Sequence, residues 1–178
     1  MKLVVRRFRE SDLRAIYDLP NGPFRKEVFD SPPVPFEQYS SEVLEGIASG
    51  HEHYFVFDEA GAVTHFIWFQ FSQDLWFTLI WGRWLRSLVY AGCVTAFRFL
   101  HLPRQHFWIR QKNRRMIKIA EDPGYGFVKM GEDAGYALRD EYPHLVLVRS
   151  NCYEIRSDVY NEKEEYYRAH SLDLEFRL

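Results

Sequence analysis

The side chains best able to move a proton lie next to runs of aromatic and branched residues. Asp74 immediately precedes Leu75-Trp76-Phe77-Thr78-Leu79-Ile80-Trp81. His65 and His106 fall inside two other apolar runs, and Glu132 falls in a predicted turn between Gly131 and Gly135. Each can take a proton from an amine or a water. No two of them are spaced as a dyad, and a histidine within a strand is as readily a packing residue. Asp74, beside the central strand, is the best placed of the four.

Charge is unevenly spread around these residues. Between Arg83 and Lys118 the chain carries nine basic residues and no Asp or Glu, whereas the segment from Glu121 onward is acidic. A one-signed region of this kind suits an anionic ligand or partner. It equally suits arginines that pair with the acidic C-terminal segment.

Other chemistries find little support. The histidines do not form a metal pattern: His51 and His53 are two apart, His101 and His106 straddle a proline, and neither Cys93 nor Cys152 joins them. No metal is expected. There is no P-loop, no dinucleotide fingerprint and no nucleophile elbow around Ser72 or Ser87. Trp76, Trp81, Trp84 and Trp108 alternate with arginines, as single-strand nucleic-acid binders do. Aromatics on strands are more often core, so nucleic acid is not the expected partner. The two cysteines suit a reducing compartment without a disulfide frame.

The N-terminus turns charged within a few residues, which argues against a signal peptide. Asp74, Arg83, Arg86 and Arg98 interrupt the apolar stretch 65–100, so no run is long enough to span a bilayer. The expected setting is the cytoplasm, or a virion if the chain is an assembly protein.

The elements that must hold these residues follow from periodicity. At 178 residues the chain is one domain in size. Leu3 to Phe8 reads as a strand, Ser11 or Asp12 caps a helix, and residues 36–48 repeat apolar positions at helical spacing up to Gly50. Residues 53–57 and 63–71 form a hairpin, followed by the strand 75–81. A long helix from Arg83 to about His101, a strand at 106–110, a short helix opened by Asn113, and a strand from Gly126 to Met130 complete a βαβαβ half-sheet. Residues 131–135 read as a turn and 144–149 as the last core strand. The tail alternates strictly from Ser171 to Leu178, which fits an edge strand on this chain or on a neighbouring subunit.

This order resembles the GNAT acyltransferase superfamily over roughly residues 2–150. The nearest likeness is to the branch containing the ribosomal-protein N-terminal acetyltransferases. Val4-Val5-Arg6-Arg7-Phe8-Arg9-Glu10-Ser11-Asp12-Leu13 is similar to that branch's opening strand and helix. Asn113-Arg114-Arg115-Met116-Ile117-Lys118, followed by Gly126-Phe127-Val128-Lys129-Met130-Gly131, is similar to its Asn-containing helix and Gly-Phe strand. The resemblance implies an α/β fold: a central mixed sheet flanked by helices. It makes residues 1–150 the acyltransferase domain and 151–178 an extension, either an edge strand or a partner-binding tail.

It also implies that acetyl-CoA enters a gap beside Leu79 and Ile80, with its pyrophosphate on the backbone of the turn that opens the next helix. Of the family's glycine signature only Gly82 is present. Arg83 and Arg86 are then either charge replacing glycine contacts, with Ser87 in the same turn, or exposed arginines on a tight strand-to-helix connection. Asn113 either bonds the pantetheine arm or caps its helix. The family's acid tyrosine falls at Ala120 here, which leaves Tyr125 as the nearby phenol, with Asp74 as the base.

Two functions follow. The first is transfer of an acetyl group to a primary amine on a small molecule or a protein N-terminus. The second is a GNAT-fold protein without catalysis, similar to phage virion and head-assembly proteins, that forms homo-oligomers or binds protein partners through its tail.

Overall fold

The computed structural model describes residues 3–21, 35–72, 75–81, 84–111, 113–136 and 148–178. Strand β1 (Leu3–Arg7) alternates, with Leu3 and Val5 fully buried. A 3-10 turn (Glu10–Asp12) leads into α1 (Leu13–Asn21), which runs one residue past Pro20. Asp12 accepts the Arg9 N–H at 2.7 Å and takes both terminal nitrogens of Arg6, at 2.7 and 2.9 Å. One carboxylate thus fixes the first strand to the start of α1.

Helix α2 (Phe36–Ala48) precedes the hairpin β2 (Glu52–Glu59) and β3 (Ala62–Ser72), and β4 (Leu75–Trp81) follows. Helix α3 (Leu85–Val94) widens into a single π-turn over Thr95–Phe99, closed by the Leu100 N–H on Thr95 O at 2.9 Å. Next come β5 (Arg104–Arg110), α4 (Arg114–Ala120), β6 (Val128–Tyr136), β7 (Val148–Arg156), α5 (Ser157–Ala169) and β8 (Leu174–Arg177).

The eight strands form one mixed sheet in the order β6-β7-β5-β4-β3-β2-β1-β8. The period-2 rule sorts its residues onto two faces. Phe55, Phe57, Ile67, Phe69, Phe107, Ile109, Tyr153 and Ile155 pack with α3, α4 and α5. Tyr54, Val56 and Phe66 face the other way, onto Leu13, Ile16 and Val43 of α1 and α2.

Three expectations are corrected. Residues 131–135 are not a turn but lie inside β6, where the β6–β7 register shifts twice. The last core strand, expected at 144–149, is β7 at 148–156 among the described residues; residues 144–147 lie outside the described part. The β5 and β6 strands are not neighbours, because β7 inserts antiparallel between them. Residue 150 lies within β7, and Tyr160 and Tyr167 of α5 are fully buried in the main core.

Candidate active site at the parallel strand pair

β4 and β5 are parallel and share a single register pair, Phe77 with His106. Their outer neighbours pair fully: β3 with β4 over seven positions, and β5 with β7 over seven. Phe77 and His106 are each the third residue of their strand, so the strands part toward their C-terminal ends. Backbone groups of β4 on that side, at Leu79 and Ile80, lack a strand partner from β5. A crevice at the carboxyl ends of parallel strands is where open α/β sheets take ligands.

The helix after β4 begins at the mouth of this opening. Trp84 holds a left-handed conformation (φ 53, ψ 49) and caps α3 without a side-chain bond. That conformation costs a bulky residue about 1–2 kcal/mol. Its ring lies 4.9 Å from that of His65, which is buried and bonded through Nδ1 to the Thr64 hydroxyl at 2.7 Å. The first bond of the helix runs from the Leu88 N–H to Trp84 O at 3.1 Å. The N–H groups of Leu85, Arg86 and Ser87 therefore precede the helical ladder, and their dipoles favour an anion. Arg86 is exposed beside them. Ser87 is buried, and its Oγ accepts the N–H of Leu172 from the C-terminal segment at 2.9 Å.

On the β5 side, Asn113 caps α4: its Oδ1 accepts the Met116 N–H at 3.2 Å. Ala120 is buried on the last turn of α4, so a core methyl fills the place of the family tyrosine. Tyr125 follows in the turn before β6. It is fully buried, its hydroxyl has no hydrogen-bond partner, and its ring meets Tyr167 at 4.7 Å and Tyr166 at 5.3 Å. Burial pushes this phenol up to about 12, against the opposing charge of Arg86. Asp122, in the same turn, lies below the usual carboxylate range. Its burial works against ionisation, but the Gly124 N–H and the Tyr166 hydroxyl outweigh it, with Arg86 adding to them.

Asp74, Gly82 and Arg83 lie outside the described residues. Leu79 and Ile80 are placed in β4 opposite Trp68 and Ile67. Glu132 is on β6, ion-paired with Lys129 at 2.8 Å and away from the opening. Arg86 and Ser87 stand in the first turn of α3, and Tyr125 lies near enough to Arg86 for that charge to act on its phenol. Asn113 stands at the start of the helix that follows β5.

Sequence reasoning missed a second polar group. His106 Nε2 lies 2.9 Å from Glu154 Oε2, with Arg104 at 3.6 Å from the same oxygen. A groove of about 340 Å³ beside them is lined by Pro103, Arg104, Glu154 and Arg156. The pairing depends on β7, whose signal was the alternation of Tyr153 and Ile155, both core-facing, with Cys152 and Glu154 on the other face. Among the described residues no three His, Cys, Asp or Glu side chains are grouped to hold a metal. No described helix is long and apolar enough to cross a membrane.

The walls of the opening thus present the edge of β4 at Leu79 and Ile80 and the N–H groups that open α3. No family profile matches the chain, and no curated protein sequence matches it. Solved structures do. Spermidine N-acetyltransferase from Vibrio cholerae, in complex with CoA and spermine, superposes with a TM-score of 0.73 at 17% identity, over 89% of this chain and 98% of that one. A chimera of that enzyme with hSSAT gives 0.74 at 16%, over 90% and 99%. A dodecameric structure of the same enzyme, in an intermediate state, gives 0.69 at 17%, over 89% and 95%. These similar structures are spermidine N-acetyltransferases rather than the ribosomal-protein enzymes whose motifs the sequence resembled. At such identities the likeness establishes the fold, and the fold of this chain is that of the GNAT acyltransferases.

Proposed function

We propose that the chain is an acyl-CoA-dependent N-acyltransferase that moves an acetyl group to a primary amine by direct attack. The observation that carries this is the opening between β4 and β5, with α3 starting at its mouth. The likeness to an acetyltransferase bound to CoA and spermine supports the same reading.

Acetyl-CoA supplies the activated acyl group as a thioester. The chain holds its phosphates on the N–H groups of Leu85, Arg86 and Ser87, with the Arg86 guanidinium offsetting their charge and Asn113 at the far wall. Gly82 and Arg83, next to them in sequence, add to the same phosphate contact. An unpaired N–H of β4 at Leu79 or Ile80 polarises the thioester carbonyl. Asp74 takes the proton from the acceptor ammonium, and the Tyr125 hydroxyl, protonated at neutral pH, is the donor toward the departing sulfur. The acceptor is a primary amine on a small molecule, with polyamines the first to try, or a protein N-terminus. A homo-oligomer is the expected assembly, and the cytoplasm is the setting where acetyl-CoA and such amines meet.

Calorimetry with acetyl-CoA, followed by thiol release with spermidine or an N-terminal peptide as acceptor, tests this. Micromolar binding is expected, weakened about tenfold or more by Arg86→Glu, since charge-assisted bonds contribute roughly 1.5–3 kcal/mol each. No binding at millimolar acetyl-CoA sinks the acyltransferase reading and favours the non-catalytic one.

A further inference from the structure

The opening that admits a ligand also weakens the sheet. β4 and β5 share one register pair, so the ladder hardly joins the half-sheet β1–β4 to the half-sheet β5–β7–β6. The chain crosses between the two halves a second time after β7. α5 leaves the second half, passes over α3, and ends in β8, which pairs parallel with β1 at the far edge of the first half.

On that path α5 and the tail hold both walls of the opening. The Tyr167 hydroxyl donates to Tyr125 O at 2.6 Å, and the Tyr166 hydroxyl donates to Asp122 at 2.8 Å. Both bonds fall on the turn that carries Tyr125. Two glycines let α5 approach that turn. A Cβ at Gly124 would stand 2.2 Å from Tyr166 Cζ, and one at Gly126 (φ 72) would stand 2.6 Å from Val159 Cγ1. On the opposite wall the Leu172 N–H reaches Ser87 in the first turn of α3. Between the walls, Tyr167 lies beside Cys93 of α3, whose sulfur accepts from Gln105 of β5 at 3.2 Å. This buried polar thread runs through α5, α3 and β5.

We propose that the C-terminal segment is a brace that sets the width of the opening, and that Tyr167 is a positioning residue, holding the turn of Tyr125 through its carbonyl. Its catalytic consequence rests on the acyltransferase reading; its structural consequence does not. The test uses the full chain with Tyr167→Phe, which removes one hydroxyl and keeps the ring, and with Ser87→Ala. Amide hydrogen exchange is read across the protein. Tyr167→Phe is expected to speed exchange about tenfold over residues 121–127, the effect of one lost hydrogen bond, and to speed β4 as well, while β2 and α2 stay unchanged. Ser87→Ala is expected to do the same at the start of α3 and at Leu172. In the acyl-transfer assay Tyr167→Phe lowers kcat about tenfold and leaves the acceptor KM in place. Faster exchange confined to α5, or spread evenly over the molecule, overturns the brace. A wild-type chain that binds no acetyl-CoA overturns the proposed function, and the exchange pattern still decides the brace.

Discussion

The two half-sheets solve the same packing problem differently. β1 to β4 follow one another in space as in sequence and are covered on both faces, by α1 and α2 on one and α3 on the other. β5, β7 and β6 are out of order, and among the described residues only one of their faces carries helices. On β6, Val128 and Met130 remain more than half exposed. The first half is stabilised mainly by neighbours in sequence. The second half depends on α5, the last helix of the chain. The molecule is thus most dependent on its C-terminal segment where its candidate site is most open.

The strongest way to break this comparison is to remove an α5 anchor. Tyr167→Ala deletes a fully buried ring and is expected to cost about 3–5 kcal/mol. Urea unfolding followed in both halves should show the β5–β7–β6 half loosening first. Simultaneous loss with β1–β4 would mean that the halves are not separable.

The counterpart in the first half is Asp12→Asn. It leaves Arg6 without its main partner, at a cost of about 3 kcal/mol. Burial acts against ionisation of Asp12, but the Arg6 and Arg9 bonds hold its carboxyl below its ordinary value. A carboxylate depressed on folding stabilises the protein above its unfolded pKa, and that contribution is lost as pH falls through the folded value. The gap between wild type and Asp12→Asn should therefore be full at neutral pH and close below about pH 4. A gap independent of pH would place the loss in packing.

Glu154→Gln sharpens the contrast on the open face. It weakens the bonds to His106 and Arg104, and a loss of about 1 kcal/mol in thermal unfolding is expected. An added change in the acceptor KM would connect the groove to acceptor binding. Lys129→Ala, on the exposed β6 edge, is the control and should leave unfolding unaltered, because its ion pair with Glu132 is solvent-screened.

The sequence disclosed the first half well because its signals are local. The alternation in β1 to β3, the helical spacing of residues 36–48 and the strand 75–81 each lie within one element. The second half was harder. Gly131 and Gly135 look like turn residues, but the edge strand β6 absorbs them through irregular register. Gly126 reads as the start of a strand, yet the missing side chains of Gly124 and Gly126 seat α5. The charged run 162–167 hid Tyr167, because helix periodicity brings Tyr160 and Tyr167 onto one buried stripe through an otherwise solvated helix. Near the candidate site, the helix cap at Asn113 and the position of Arg86 in the first turn of α3 were legible from type and position. The partner of Ser87, a backbone N–H 85 residues away, leaves no trace in local sequence.

The pairing of β8 with β1 bears on how the protein is made. Leu3 and Leu174 are register partners at opposite ends of the chain. During translation, β1 can join β2 once residue 59 has emerged, but its outer edge stays unpaired until residue 177 has left the ribosome. An exposed strand edge invites intermolecular pairing for that whole interval. A chain that has emerged only to about residue 170 would present the core elements with that edge still bare, the stage at which a chaperone would matter most.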